Sequence, residues 1–340
     1  MAAITQGARR PGALLLLLLP RRRAGTVILF VLRRLLWMIP VLFFVILVTF
    51  VLMHLAQGGP WDRESSRPLS PAVVHDLNVK YGLDRPIWQQ FLLYLLNVAH
   101  LDFGLSYQYQ SQTVVSLLLR SWPYTAWIGV LAFLLIVPVG IALGVVAALR
   151  QNSWIDYLAL GFSTLFASVP NFVVGIVLIL FLSVGMFDLT EHAYFFPSGG
   201  FGLDEHLVMP VITLAVLPIA YIARLTRAST LDVLRQDYVR TAWAKGLAER
   251  LVVLKHVLKN SLIPVVTALG PTFALLLTGS VIVENVFDIP GIGRSFVIGV
   301  TARDYPLILA TTVLYAVVIA VANLVVDVLY VFIDPRVRLA

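Results

Sequence analysis

Six long apolar runs separated by polar stretches set the pattern of this chain. They lie at about Leu35 to Leu55, Thr125 to Leu149, Tyr157 to Val184, Val208 to Ile222, Leu262 to Val283 and Pro306 to Phe332. A helix rises 1.5 Å per residue, so about 20 apolar residues cross the roughly 30 Å of hydrocarbon in a bilayer. The pattern therefore predicts an all-α integral membrane protein with six transmembrane helices. Pro170 falls near the middle of the third run, Pro210 and Pro218 in the fourth, and Gly270-Pro271 interrupts the fifth. Such breakers survive in lipid only where neighbouring protein or a watery cavity satisfies the freed backbone groups, so spans three to five are expected to face a bundle interior. In the second run, Gly140 and Gly144 have the spacing that lets two helix backbones approach closely.

The polar stretches orient the spans. Arg33 and Arg34 precede the first run, while Arg224, Arg227 and Arg235 follow the fourth; residues 185–207 contain neither Lys nor Arg. Cations mark the cytoplasmic side, which puts both termini in the cytosol and residues 56–122, 185–207 and 284–305 outside. In the first outer loop, Ser70-Pro71 and Asp84-Arg85-Pro86 each offer a cap with proline close behind, predicting two short surface helices. Tyr94, Leu95, Phe103, Tyr107 and Tyr109 read as an aromatic belt or as a contact surface for an arriving partner. Glu284 to Tyr305, with Asp288, Pro290, Gly291 and Gly293, reads as a rigid, turn-rich outer loop. The leucine run Leu14 to Leu19 is too short to span and lacks a cleavage signature, which makes residues 1–27 an expected cytosolic extension.

One inner stretch, Gln236 to Pro264, is more than a connection. Leu231, Leu234, Tyr238 and Thr241 or Ala242 recur at helical spacing, and Lys245-Gly246 supplies the signals that end a helix. Beyond that joint, Leu247, Leu251, Leu254 and Leu258 line one face of a second short helix; Glu249, Arg250, Lys255, His256 and Lys259 decorate the rest. Two readings stand. The cations could serve only to fix topology, or the apolar stripe could dock in a groove, on this chain or on a partner.

Composition narrows the chemistry. The 340 residues are 59% hydrophobic and 13% charged, with mean hydropathy +0.90, which excludes a soluble domain. The net charge of +7 sits beside apolar spans, a pattern of orientation and headgroup contact rather than of nucleic-acid binding. The absence of cysteine excludes disulfides, thiolate metal sites and a cysteine nucleophile. The chain has no phosphate-binding loop, no His-Glu-x-x-His and no Gly-x-Ser-x-Gly, so no catalytic, cofactor or metal residues are nominated. Spans two to five carry no Asp, Glu, Lys, Arg or His, which argues against an ion-driven carrier. Asp327 and Asn323 are exceptions in the last span, and Asp327 is read as a structural hydrogen-bonding group near its cytoplasmic end. His54, His100, His192 and His206 show no ligand spacing and are read as surface residues.

A membrane bundle with no energy source of its own and an inner segment shaped to dock suggests a transport subunit driven by a separate motor. Tyr238-Val-Arg240-Thr241-Ala242-x-Ala-Lys245-Gly246-Leu247, continuing to Leu262-Ile-Pro264, resembles the cytosolic signature of ATP-binding-cassette (ABC) importer permeases of the oligopeptide, dipeptide and nickel group. Ile39-Pro40-Val, Tyr81-Gly-Leu-Asp-Arg-Pro86, Asp102-Phe-Gly104, Gly279-Ser-Val-Ile-Val-Glu284 through Gly293, and Asp334-Pro335 agree with it. The resemblance runs from about Ile28 onward and is closest to the B-type subunit of oligopeptide importers. The general signature has Glu-Ala-Ala where Arg240-Thr241-Ala242 stands, and Trp243 replaces a common arginine. The resemblance implies a type I importer permease fold, with a first span and outer loop over 28–121, a permease domain over 122–327 containing the coupling segment 236–264, and a cytosolic end over 328–340. It further implies a homologous second permease, two ABC ATPases, an extracytoplasmic solute-binding protein, and peptide import across the bacterial inner membrane without chemistry on this chain. Arg240, Thr241, Ala242, Lys245, Gly246, Leu247, Glu249, Arg250, Leu251 and Leu254 would couple to the ATPases. Glu284, Asp288, Pro290, Gly291 and Gly293 would form an outer loop or gate, and Gly140 and Gly144 would pack helices. Nickel or another small solute is the alternative cargo; a secondary carrier and a peptide-sensing complex are the other classes.

Overall fold

A computed structural model of the protein describes residues 19–56, 58–61, 70–109, 112–185 and 196–333. Among these the regular elements are helices, with one isolated bridge between Leu105 and Thr113. Helix α1 is Leu19–Leu55, and the outer segment contributes α2, Pro71–Tyr81, and α3, Ile87–Ala99. Helix α4 is Val114–Leu149; α5, Trp154–Ser168, and α6, Asn171–Leu178, form a bent pair. Helix α7, Val208–Leu234, leads into the short α8, Asp237–Ala244, and α9, Glu249–Val252. Helix α10 is Leu258–Thr278, followed by α11, Val281–Val286, α12, Ile292–Thr301, and α13, Tyr305–Ile333.

The core lies where α4, α7 and α10 meet. Ile128, Ala132 and Ile136 pack with Leu214, Ile219 and Ile222 and with Val265 and Leu276; Val283, Phe287 and Ile289 close one end. Lipid tails are as apolar as leucine, so this association depends on close approach rather than on hydrophobic burial alone. A Cβ at Gly144 would sit 2.5 Å from the Ala223 carbonyl oxygen, and one at Gly140 would sit 2.8 Å from Ile222 Cγ2. Gly129 abuts the Leu276 carbonyl in the same way, and Gly270 abuts Val326 of α13. Gly270-Pro271 therefore does not interrupt the fifth span as expected: α10 continues through both Pro264 and Pro271, and the glycine serves a helix crossing. The break comes later, at Gly279, whose φ of 84° lies in the left-handed region.

Contacts at the two ends settle the path of each helix. At one end Arg34 of α1 pairs with Asp327 of α13 at 2.7 Å, and Arg227 of α7 pairs with Asp156 of α5. At the other end Phe50 and Met53 of α1 meet Ile308 and Leu309 of α13. Helices α1 and α13 are thus antiparallel, with the start of one beside the finish of the other. The third span is broken where Pro170 falls in its middle. It bends by 104° between α5 and α6, because Val169 is extended and Pro170 cannot continue the preceding helix. It still traverses the bundle: Asp156 meets Arg227 at one end of α7, and Gly175 lies against Thr213 and Phe287 at the other. Thr213 and Arg227 are about 21 Å apart along α7 at 1.5 Å per residue.

The second span begins earlier than its apolar run. Helix α4 starts at Val114, with Thr113 accepting the Ser116 N–H, and carries Pro123 inside. Residues 114–122 are therefore helix rather than outer loop. The two surface helices expected before it are present. Ser70 accepts the Val73 N–H with Pro71 at the first position of α2, whereas Pro86 stands at the start of α3 without a side-chain cap. Tyr107 cannot serve in an aromatic belt. It is buried, with its ring centroid 4.6 Å from Tyr81, 5.2 Å from Trp61 and 6.1 Å from Tyr305, because the outer segment folds back on α13 and buries its own rings.

Candidate functional site

The segment between α7 and α10 folds as a compact corner. Helix α8 ends in a Schellman motif: the Gly246 N–H donates to the Trp243 carbonyl at 2.9 Å and the Leu247 N–H to the Ala242 carbonyl at 3.4 Å. This closure requires a left-handed residue, and Gly246 has φ 77°. Val239 and Ala242 then pack on Val252 and Val257, with Val233 and Leu234 against them, while Asn260 Nδ2 donates to the Tyr238 hydroxyl at 2.8 Å. The valines take the inside of the corner, which turns the leucines outward. Leu247 is 36% exposed, Leu251 46% and Leu254 66%. Around them Arg240, Thr241, Lys245, Gly246, Glu249 and Arg250 are all exposed, whereas Ala242 is buried. The second helix is not separate, as the sequence suggested. A single π-type turn, Val253–Val257, joins α9 to α10, so the leucine face is the projecting start of the fifth span. No breaker stands between Val257 and Leu258 to end it.

At the opposite end the residues expected in a rigid, turn-rich outer loop form a knot around one carboxyl. Glu284 lies in α11 and is 2% exposed. Its Oε1 accepts the Thr125 hydroxyl at 2.7 Å and its Oε2 accepts the Arg294 N–H at 2.9 Å; Thr125 in turn accepts the Ile292 N–H at 2.9 Å. One carboxyl and one hydroxyl thereby satisfy the otherwise open N-terminus of α12. Gly279, Gly291 and Gly293 wrap the carboxyl so closely that a side chain on any of them would press on it. Burial pushes the Glu284 carboxyl above its ordinary range, against the opposing pull of the hydrogen bonds from Thr125, Arg294 and Gly293. Asp288, with φ 48°, carries an ion pair to Arg294 at the surface, and Pro290 is exposed. Glu284 is thus a buried fastening between α4 and the α11–α12 turn, not a group on the outer surface.

Two buried carboxylates that hold the bundle together carried no distinguishing signal in the sequence. Asp156, 1% exposed, accepts from Arg227 Nε at 2.5 Å and Nη2 at 2.6 Å, and from the Asn152 N–H at 3.0 Å. Arg227 is therefore a structural partner as well as one of a run of cations. Asp304, wholly buried, accepts the Ser106 hydroxyl, the Gln108 N–H at 3.1 Å and the Leu307 N–H at 3.3 Å, tying the outer segment to the start of α13. Asp327 is held by Arg34, consistent with a structural group. His54 is not a free surface residue: its ring packs on Phe50 and Tyr305, and Nδ1 lies 2.8 Å from the Phe50 carbonyl. His100 is exposed, His206 pairs with Asp204, and His192 lies outside the described residues.

Residues 140–339 match the family described as the binding-protein-dependent transport system inner membrane component, and residues 27–129 match the N-terminal part of such components. The chain belongs to this family. This inner membrane component is 40% identical over 309 residues to the oligopeptide transport system permease protein OppB of Salmonella typhimurium, covering 90% of this chain and 98% of that one. It is 41% identical over 292 residues to the dipeptide transport system permease protein DppB of Bacillus subtilis, covering 86% and 92%. Among solved structures, an inward-facing form of the MetNI methionine ABC transporter aligns with 64% of this chain and 96% of its own, with TM-score 0.50 and 16% identity. That likeness concerns the fold: helices of an ABC transporter permease. The leucine corner, the Asp156–Arg227 pair and the Glu284 side of the knot lie within residues 140–339, and Thr125 lies within the N-terminal match.

Proposed function

We propose that this chain is one of two permease subunits of an ATP-driven importer of peptides, working with two separate ATPases and a solute-binding protein outside the membrane. The observation that carries the reading is its 40% identity, along 98% of their length, to oligopeptide permeases. Similar identity to a dipeptide permease keeps the cargo at the level of short peptides. The cation pattern supports a cytosolic side for both termini and the 236–264 corner. There Leu247, Leu251 and Leu254 present an apolar face, rimmed by Arg240, Lys245 and Arg250, that fits a groove in an ATPase. Closure of the ATPases on ATP would push this corner, and because α9 runs into α10, the push would pass along span five to the Glu284 fastening at the far end. Gly291 and Gly293 lie at that fastening, with Asp288 and Pro290 on its exposed rim, where an outer gate would open.

The test is reconstitution of the complex with a second permease, the ATPases and a binding protein, followed by uptake of a labelled tripeptide. Uptake is expected to require ATP and to persist when ion gradients are collapsed. Uptake driven by an ion gradient without ATP would make the chain a secondary carrier. Uptake of nickel but of no peptide would reassign the cargo. ATPase activity stimulated by peptide with no uptake would make the complex a sensor.

A further inference from the structure

A cavity of about 300 Å³ opens at the end of the bundle that carries the Glu284 fastening. Tyr109 and Gln112 of the outer segment, Arg120 and Ser121 from the first two turns of α4, and Arg294 and Ser295 from the start of α12 line it. Ser121 stands one helical turn before Thr125, so the cavity shares its wall with the fastening. Among the described residues no carboxylate lines it. Arg120 is exposed and makes no hydrogen bond or ion pair among the described residues. Arg294 commits one Nη to Asp288, leaving its other donors available. The Ser295 hydroxyl lies 3.1 Å from both the Ser121 hydroxyl and the Gly291 carbonyl, so when it donates to that carbonyl the Ser121 hydrogen is free for a ligand.

A free guanidinium at Arg120, a second at Arg294 that keeps donors beyond its Asp288 pair, and the Ser121 hydroxyl suit a planar monoanion, because guanidinium donors match a carboxylate in pairs. The volume has room for a terminal residue rather than for a whole peptide. We propose that this cavity binds the terminal carboxylate of a peptide entering the permease. The inference rests on the peptide-import reading and deepens it. Side chains differ from one peptide to the next, whereas the terminal carboxylate is constant, so a site built around it holds peptides of any sequence. Arg120 is the main anchor because its whole fork is free, and Arg294 is the second.

The experiment measures binding by calorimetry to the ATPase-bearing permease complex in nanodiscs, without the solute-binding protein, using trialanine and its C-terminal amide at millimolar concentration. The parent complex is expected to bind trialanine and to bind the amide at least tenfold more weakly. Arg120→Gln should weaken trialanine binding by roughly tenfold or more, the loss of one charge-assisted contact, and should leave the amide unchanged. Arg120→Lys, which keeps charge but not the fork, should fall between them. Trialanine binding unchanged in Arg120→Gln, equal binding of acid and amide by the parent, or no binding by the parent would overturn the proposal. An equal loss of both ligands in Arg120→Gln would also overturn it, pointing instead to Arg120 anchoring α4 at lipid headgroups. Uptake by the complete system separates the two levels. Trialanine import together with any of these results removes the site and leaves the import reading standing, whereas failure to import any peptide removes that reading itself.

Discussion

Replacing Gly246 by valine tests whether the leucine corner is a working joint or only a connection. Gly246 has φ 77°, and a Cβ built there meets nothing within 4 Å inside this chain. The intrachain cost is therefore the left-handed backbone alone, about 1–2 kcal/mol for a residue with a side chain. That shifts the joint's occupancy by roughly 5–30-fold. The valine cluster of Val239, Ala242, Val252 and Val257 and the spans beyond it are not touched, so insertion and pairing with a second permease should be unchanged. In the assembled importer a side chain at the tip of a corner seated in a groove would add a clash. We expect Gly246→Val to lose ATPase co-purification and ATP-dependent uptake while membrane abundance stays at the parental level. Alanine at the same position carries the backbone strain with less bulk, so the difference between Ala and Val reports the room left by the partner. Leu251→Asp, at a position already 46% exposed, should barely alter the isolated chain and yet fail in the same assay, because it places a charge on the docking face. If Gly246→Val and Leu251→Asp both retain the ATPases and import at the parental rate, the corner is a topological loop and the coupling argument is wrong.

Two further outcomes follow from the packing and from the orientation. Gly144→Ala places a Cβ 2.5 Å from a backbone oxygen of α7 and should cost about 1–3 kcal/mol, lowering the melting temperature in detergent, and Gly140→Leu should reduce assembled complex. Gly161→Ala, where a Cβ meets nothing within 4 Å, should be neutral or slightly stabilising, so equal melting of the Gly144 and Gly161 variants would refute the close crossing. For orientation, cysteines introduced singly at Ser198 and at Lys259, both exposed in this cysteine-free chain, should react with an impermeant reagent from opposite sides, Ser198 from outside. Reaction of both from one side would overturn the arrangement of spans. Ser261, in the same inner stretch, is wholly buried and unsuited to labelling.

Apolar runs and cation clusters made the spans legible because bilayer thickness and headgroup charge act on composition, which a sequence displays directly. The end of α8 was legible for a similar reason. Lys245-Gly246 is a local signal, and a left-handed closure needs nothing from elsewhere in the chain. So was the close approach at Gly140 and Gly144, since small residues four apart stand on one face of a helix, although the sequence did not say which helix they meet. Tertiary structure decided what local pattern cannot hold. Pro170 bends its span by 104° while Pro218, Pro264 and Pro271 are absorbed within helices. The four prolines are the same residue, so the difference between them was not legible from the residue itself.

The carboxylates show the same division. By sequence Asp156 is one acid in a short polar turn, Glu284 heads an apparent loop and Asp304 adjoins another. Their partners stand 71, 159 and 198 residues away, at Arg227, Thr125 and Ser106. A buried charge is tolerable only with such partners, so what fixes these residues is the pairing, which exists only once the helices have met. The leucine stripe lies between the two cases. Its periodicity was visible from the first, but that the leucines face outward was decided by the valines filling the corner behind them. The sequence by itself determined which segments enter the membrane and where a helix must stop. The packed helices determined which of the remaining polar and apolar groups are fasteners and which are left facing a partner.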